Sequence, residues 1–250
     1  MSPYAWAASA EALVLVPALA LLYALAVRRR PPSRWRVSCL ALALALILLA
    51  FVTPLQTLAL HYLLTAHLLQ NVVLAEWAPA LLVLALPRDA VERIDRVTPV
   101  RRVTAPLVAL PVWIGTYFVW HVPAIYDFAL RRPHSLLHVE HVSYLVAGLL
   151  LWWPALTGRL RAGATAAYLF GAFVLASPLG LVLALVPHAI YDFYVDAPRL
   201  AGLTPLGDQQ LAGLTMATEQ AVVFFAVFAH FFLRFLREED ARVAFERYRT

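Results

Sequence analysis

The histidines are the residues whose type and spacing most clearly indicate chemistry in this sequence. Seven of the eight histidines fall near the ends of long hydrophobic stretches, and His230 is the exception. We call those seven the histidine band: His61, His67, His121, His134, His138, His141 and His188. If these ends share one side of a membrane, the imidazoles lie together near one bilayer surface. Imidazole is a ligand that suits copper, zinc and iron.

The elements that must position these histidines are membrane helices. The chain is 62% hydrophobic and 14% charged, far from the composition of a soluble domain. Seven apolar stretches approach or exceed the roughly 20 residues that a spanning helix needs. The sequence therefore predicts an all-α, polytopic membrane protein, with a seven-helix transmembrane domain over residues 1–233. The predicted spans are 6–27, 37–55, 60–86, 103–121, 136–156, 163–187 and 209–233.

The distribution of arginine predicts the orientation of the bundle. All 20 basic residues are arginines, and 17 of them lie in alternate loops or the tail, whereas the other loops carry only Arg131, Arg132 and Arg199. The positive-inside rule places the N-terminus outside and the C-terminus in the cytoplasm, so the histidine band faces outward. The net charge of +5 needs no nucleic-acid partner, because topology and contact with anionic lipid explain it.

Two smaller features complete the predicted architecture. Residues 234–250 alternate in charge and are expected to form a helical cytoplasmic tail. Small residues within the spans allow close approach of helices; they are Gly148, Gly171, Gly180 and Gly213.

The densest part of the histidine band opens the fifth predicted span. His134, His138 and His141 follow an i, i+4, i+7 spacing, which puts all three on one face of a continuous helix. Such residues can converge on one cation. The alternative is that each is an interfacial histidine that hydrogen-bonds lipid headgroups and water.

Other polar residues within the spans are candidates to support a site. His67 and Asn71 lie one turn apart on the third span, where asparagine is a poor metal ligand but a good orienting hydrogen-bond partner. Glu76, Glu140 and Glu219 also fall within spans. Ionisable groups at such depth are costly and indicate function by default, although a structural hydrogen bond between helices is an equal alternative.

Residue types also exclude several functions. The chain has no lysine, so a retinal Schiff base is excluded. Cys39 is the only cysteine, so neither an intramolecular disulfide nor a paired-cysteine metal site can form. No serine lies in the context of a catalytic triad, and we expect the protein not to be an enzyme.

Four segments resemble those of a known family, the seven-helix CtaG-type cytochrome c oxidase assembly factors of bacteria. They are TAHLLQNVVLAEWAPALLVLALP, WHVPAIYDFAL, LLHVEHVSYLVAGLLLWWPAL and LTPLGDQQLAGLTM. The resemblance runs from about residue 55 to residue 235. It implies a bacterial plasma-membrane protein that binds or delivers copper during maturation of a heme-copper oxidase, with oxidase subunits and a copper chaperone as partners.

The resemblance also implies a set of site residues. The positions that match the family are His67, His121, His138 and His141, with Asp208, Gln209 and Gln210 as polar elements at the start of the last span. Supporting roles are open to His61, Asn71, His134 and His188. The chain departs from the family where Asn71 replaces a usual second histidine, and where Ala217 rather than an aromatic residue follows Met216.

Two further functions remain open at the level of sequence. His67 on one helix and His138 or His141 on another could ligate haem in an electron-transfer protein that uses quinone. Alternatively, the chain is a structural accessory subunit that only docks on the oxidase, in which case the histidines carry no chemistry.

Overall fold

A computed structural model shows an all-helical chain, with 79% of residues in helices. It describes residues 2–247, without the side chains of residues 243, 244 and 247, and contains no strand within that range. The helices are α1 (Glu11–Val27), α2 (Arg34–Val52), α3 (Pro54–His61), α4 (Leu64–Ala85), α5 (Arg88–Asp95), α6 (Thr98–Val103), α7 (Pro106–Trp120), α8 (Pro123–Leu130), α9 (Leu136–Leu156), α10 (Ala162–Leu185), α11 (Asp192–Val195) and α12 (Pro205–Arg247).

Five of these helices, α2, α4, α9, α10 and α12, are long and apolar enough to cross a membrane. Helices α7 and α8 form a sixth candidate span only as a pair, because the chain bends by 73° between them. Helix α1 is shorter, and its 17 residues rise about 25 Å at 1.5 Å per residue. The protein is therefore an all-helical membrane protein with five to six candidate spans, whereas seven spans and the orientation of the termini remain predictions.

Two helices contain a π-helical turn just before a proline. The turns are Glu11–Leu15 in α1 and Val73–Trp77 in α4, and Pro17 and Pro79 follow each of them by two residues. A proline cannot donate to the carbonyl four residues earlier, and its ring clashes with that carbonyl in a regular helix. The wider turn relieves the clash, and Ala78 instead donates its N–H to Val73. Such turns often mark functional sites, and here they carry Glu11 and Glu76.

The third predicted span does not begin as one continuous helix. Helix α3 ends at His61, and α4 starts at Leu64 after an extended Leu63. His61 and His67 are thus on separate helices, and the expectation that one span carries both is wrong. The break is stable because a side chain from α12, that of Asp208, accepts hydrogen bonds from the first N–H groups of α4.

The fifth predicted span begins later than its histidine pattern indicates. Helix α9 starts at Leu136, with Ser135 in a non-helical conformation. His134 lies in the preceding turn, directly after Pro133. The prediction that it shares a helical face with His138 and His141 is wrong, because the helix does not reach it.

Glycines set the closest helix contacts. A Cβ added at Gly148 on α9 would lie 2.3 Å from the carbonyl oxygen of Ala75 on α4. A Cβ at Gly213 on α12 would lie 2.6 Å from the carbonyl oxygen of Gly180 on α10. These three glycines confirm the predicted close approach, but Gly171 has nothing within 4 Å of the equivalent position. Helix α4, which packs against α2, α9 and α12, is the most buried of the candidate spans.

The bundle has two chemically different ends. We call one the histidine end, where α1, α4 and α9 begin, and the other the arginine end, where α2, α5 and α10 begin. The predicted helical tail is confirmed as far as Arg247, because α12 continues without a break from the last span. Residues 248–250 lie outside the described residues.

Candidate metal centre

Three side chains at the histidine end meet on one carboxylate oxygen. The Oε1 atom of Glu11 lies 2.6 Å from the Nδ1 atoms of both His138 and His141. Their potential ligand atoms all lie within 4.8 Å of one another. Among the described residues, these three are the side chains whose nitrogen and oxygen atoms converge closely enough to hold one metal ion. We call it the Glu11 cluster.

The polypeptide before α1 places Glu11 in this position. The N–H groups of Ala7 and Ser9 donate to the carbonyls of Val52 and Phe51, at 3.3 Å each. Thr57 also donates its hydroxyl to the carbonyl of Ala5 at 2.8 Å. These hydrogen bonds hold the segment before α1 against the end of α2. The first turn of α1 therefore faces the interior of the bundle, and Glu11 is only 4% exposed.

Helix α9 presents the two imidazoles on one face. His138 and His141 are three residues apart, which places them side by side on a helix. The ring of Phe51 packs edge-on against His141, with centroids 5.0 Å apart. His141 is buried, whereas the His138 side chain is 34% exposed. The cluster therefore has one accessible imidazole and one enclosed imidazole.

A second layer of polar groups lies directly inside the cluster. We call His67, Asn71 and Glu140 the inner layer. The His67 ring centroid is 5.8 Å from that of His141, and His67 Nε2 is 3.5 Å from Glu140 Oε1. Asn71 donates to the same oxygen at 2.9 Å. Asn71 therefore acts as an orienting hydrogen-bond partner, as its residue type predicts, although it orients Glu140 and not an imidazole.

The inner layer contains buried polar atoms without protein partners. Nδ1 of His67 and Oε2 of Glu140 lack a hydrogen-bond partner among the described residues, and so does Nε2 of the adjacent His141. Nε2 of His67 has only the 3.5 Å contact with Glu140 Oε1. Buried polar atoms are rarely left in this way, and each needs an explanation such as an ion or water. The inner layer thus offers an ion or a water molecule nitrogen and oxygen atoms that have no hydrogen-bond partner in the described part of the protein.

His121 lies apart from the Glu11 cluster. It stands at the bend between α7 and α8, and its Nδ1 atom is 2.8 Å from the carbonyl oxygen of Tyr117. The ring of Tyr126 contacts both His121 and His67, at centroid distances of 5.9 Å and 5.2 Å. His121 therefore belongs to the same buried region but is separated from His67 by one aromatic ring.

The remaining residues of the predicted set lie elsewhere. His61, His134 and His188 are exposed, and they contribute to neither the Glu11 cluster nor the inner layer. Asp208 is buried but its carboxylate is occupied: it accepts from Leu64 N at 2.6 Å, Thr65 N at 3.1 Å and Thr65 Oγ1 at 2.7 Å. Gln209 accepts from Ile190 N at 2.8 Å. The structure thus gives Asp208 and Gln209 positioning roles within the bundle.

Substitution of Asp208 tests this positioning role. We expect Asp208→Ala to lower the free energy of unfolding by about 1–2 kcal/mol, the cost of losing a helix N-cap. Thermal unfolding of the purified protein in detergent measures the change, and Asp196→Ala, at an exposed position, is the matched control. Equal stability of the two variants would contradict the assignment.

Sequence analysis missed Glu11, the residue that completes the cluster. Glu11 is the only charged side chain in residues 1–27. The rule that an ionisable residue within an apolar span indicates function therefore applies to it as well as to the three glutamates already singled out. Its partners are 127 and 130 residues away along the chain, so no local spacing connects it to the histidines.

The other buried glutamates form a separate group deeper in the bundle. Gln220 donates to Glu76 Oε1 at 3.2 Å and lies 2.6 Å from the hydroxyl of Tyr117. The indole N–H of Trp77 donates to Glu219. Glu76, Glu140 and Glu219 are all at most 9% exposed, so each of these carboxyl groups lies inside the bundle. The group around Glu76 and Glu219 contains no imidazole and is not part of the candidate metal centre.

Comparison with known proteins gives the family. A family model described as cytochrome c oxidase caa3 assembly factor matches residues 19–238. The chain belongs to this family of oxidase assembly factors. No curated protein and no solved structure matches the chain. The match includes His67, His121, His138 and His141, whereas Glu11 lies before it, so membership in the assembly-factor family does not by itself assign the Glu11 cluster.

Proposed function

We propose that this assembly factor binds a copper ion as cargo at the Glu11 cluster and passes it to a cytochrome c oxidase subunit without catalysing a reaction. The observation that carries the proposal is the convergence of one carboxylate and two imidazoles from two helices that are far apart in the sequence. Copper sites are a defining requirement of heme-copper oxidases, and imidazole with carboxylate is a suitable donor set for Cu(II).

The donor chemistry favours an ion that accepts nitrogen and oxygen ligands. The sulfur atoms of the described chain lie elsewhere, with Cys39 near the start of α2 and Met216 within α12. A thioether or thiolate relay for Cu(I) therefore has no support at this site. Among divalent first-row ions, copper binds such sites most tightly.

The geometry needs only small movements to receive an ion. Two neighbouring ligand atoms in the square-planar geometry typical of Cu(II) lie about 2.9 Å apart at metal–nitrogen distances of about 2.0–2.1 Å. The Nδ1 and Oε1 atoms are 2.6 Å apart, so the side chains must separate by less than about 1 Å. His67 lies beside His141, at a ring-centroid distance of 5.8 Å, but it is not part of the group whose ligand atoms converge.

Unequal exposure of the two imidazoles suits transfer of the ion. Glu11 and His141 are enclosed, while His138 is accessible, so a ligand from a partner protein can replace His138 first. The arginine distribution of the sequence supports placement of this end on the outer side of the membrane. The copper donor and the receiving oxidase subunit are then both reached from that side.

Copper titration of the purified full-length protein tests the proposal. We expect His138→Ala/His141→Ala to lower copper affinity by at least about 100-fold, since loss of outer-shell partners alone costs 10–100-fold. Isothermal titration gives the affinity, and electron paramagnetic resonance reports nitrogen ligation of Cu(II). The matched control is His134→Ala/His188→Ala, which removes two exposed histidines.

The same preparations discriminate the other two functions. Unchanged copper binding in His138→Ala/His141→Ala would overturn the assigned site. A Soret band after haem supplementation would favour the haem protein instead. If the double variant restored full oxidase activity to cells that lack the native chain, the structural accessory role would be supported.

A further inference from the structure

We infer that the arginine end of the bundle carries a binding site for the phosphate of an anionic phospholipid. A cavity of about 770 Å³ opens there between the starts of α2, α5 and α10, the ends of α4 and α9, and the segment of α12 around Arg234. The inference is independent of the copper site, which lies at the opposite end of the same helices.

Two arginines in the wall of this cavity are free to bind an anion. Arg88 and Arg161 line the cavity, and neither side chain makes a hydrogen bond or ion pair with residues 2–247. A third, Arg36, is held in place because its guanidinium donates to the carbonyls of Leu84 and Leu86. Its charge has no acidic partner among the residues that the structure describes. Guanidinium groups bind phosphate through paired N–H donors.

The N-termini of two helices make a second, independent contribution to the binding of an anion in this cavity. Helix α5 begins at Arg88 and α10 begins at Ala162, and both starting residues line the cavity. Neither N-terminus has a side-chain cap. Their first N–H groups therefore have no side-chain acceptor, and the helix dipoles favour negative charge at these points.

The acidic residues of the cavity do not cancel this positive charge. Asp95 accepts from the indole of Trp153 at 2.9 Å and pairs with Arg159. Glu238 pairs with Arg234 at 2.7 Å. Glu92 alone has no such partner among the described residues. Three arginines thus face one uncommitted carboxylate, and the balance favours a ligand of negative charge.

The floor of the cavity indicates a lipid rather than a soluble anion. It is formed by apolar side chains at the ends of the spans, including Val83, Leu156 and Phe231. A phospholipid can place its phosphate among the arginines and its glycerol and first methylenes on this floor. Basic pockets between membrane helices are typical sites for such headgroups.

Lipid titration of the purified full-length protein, followed by native mass spectrometry, tests the inference. The probes are phosphatidylglycerol, phosphatidylcholine and inorganic phosphate. We expect one tightly bound phosphatidylglycerol, and a loss of affinity of about tenfold or more in Arg88→Gln/Arg161→Gln, since each arginine near a lipid surface contributes about 1 kcal/mol. The charge-matched control, Arg237→Gln/Arg242→Gln, changes two arginines of α12 that do not line the cavity and should retain the parent affinity.

A second variant keeps the test decisive if the double variant fails to fold. Glu92→Gln removes the uncommitted carboxylate and should strengthen phosphatidylglycerol binding. Equal phosphatidylglycerol binding by the parent, Arg88→Gln/Arg161→Gln and Glu92→Gln would overturn the inference. Equal binding of phosphatidylcholine, or displacement of phosphatidylglycerol by millimolar inorganic phosphate, would also overturn it. Copper affinity should be unchanged in every variant.

Discussion

Replacing Glu11 by glutamine should lower the copper affinity of the purified protein by at least about 100-fold. Loss of a group that only hydrogen-bonds a metal ligand costs about 10–100-fold, and a lost ligand should cost no less. The carboxylate oxygen contacts both imidazoles at once, and the amide of glutamine retains the shape but not the negative charge. A cation that is bound within the membrane by neutral ligands alone has no counter-charge. The low dielectric constant of the surroundings raises the free-energy cost of such a charge.

Competition against a chelator of known copper affinity measures this loss. The matched control is Glu239→Gln, which removes one negative charge at an exposed position of α12. In cells that lack the native chain, Glu11→Gln should restore oxidase activity poorly, whereas Glu239→Gln should restore it fully. Parental copper affinity in Glu11→Gln would show that the carboxylate is not a ligand and would leave the histidines as the only candidates.

Gly148→Ala should destabilise the protein by about 3 kcal/mol, at the upper end of the range for overpacked cores. The added Cβ would meet the carbonyl oxygen of Ala75 at 2.3 Å and the Pro79 ring at 2.6 Å. Backbone atoms and a proline ring cannot rotate away as a flexible side chain can. Helices α4 and α9 must therefore separate, and these two helices carry the inner layer and the imidazoles of the Glu11 cluster.

Thermal unfolding in detergent and copper titration together measure this effect. The unfolding temperature of Gly148→Ala should fall, and copper affinity should fall with it, because His67 and His141 lie on the two separated helices. The control is Gly171→Ala, where nothing lies within 4 Å of the added Cβ and alanine is the better helix former by up to about 1 kcal/mol. Equal stability of the two variants would contradict the close packing of α4 and α9.

The all-helical architecture could be predicted from the sequence because it depends on local properties. Long apolar runs require helices in a membrane, since each helix satisfies its own backbone hydrogen bonds. Each predicted span is helical over most of its length, and five of the helices are long and apolar enough to cross a membrane. The pairing of His138 with His141 was also accessible, because residues three apart share a helical face.

The ends of the helices were less predictable, because distant residues decide them. The break before α4 depends on Asp208, 144 residues away from Leu64, and hydropathy does not register such a contact. At the start of α9, the spacing of His134 fits a helix that the turn at Pro133–Ser135 does not allow to extend so far. Periodicity alone cannot distinguish a helical residue from one just before the first turn.

The sequence by itself determined which side chains are available: seven clustered histidines, glutamates within apolar spans, no lysine and one cysteine. It also determined that these side chains are carried by membrane helices. Only the tertiary structure decided that His138 and His141 share one oxygen of Glu11 and that His67 lies beside His141. It also decided that His61, His134 and His188 remain outside. The reason is physical: residue type and periodicity act within one helix, whereas convergence on one point depends on contacts between helices that are distant in the chain.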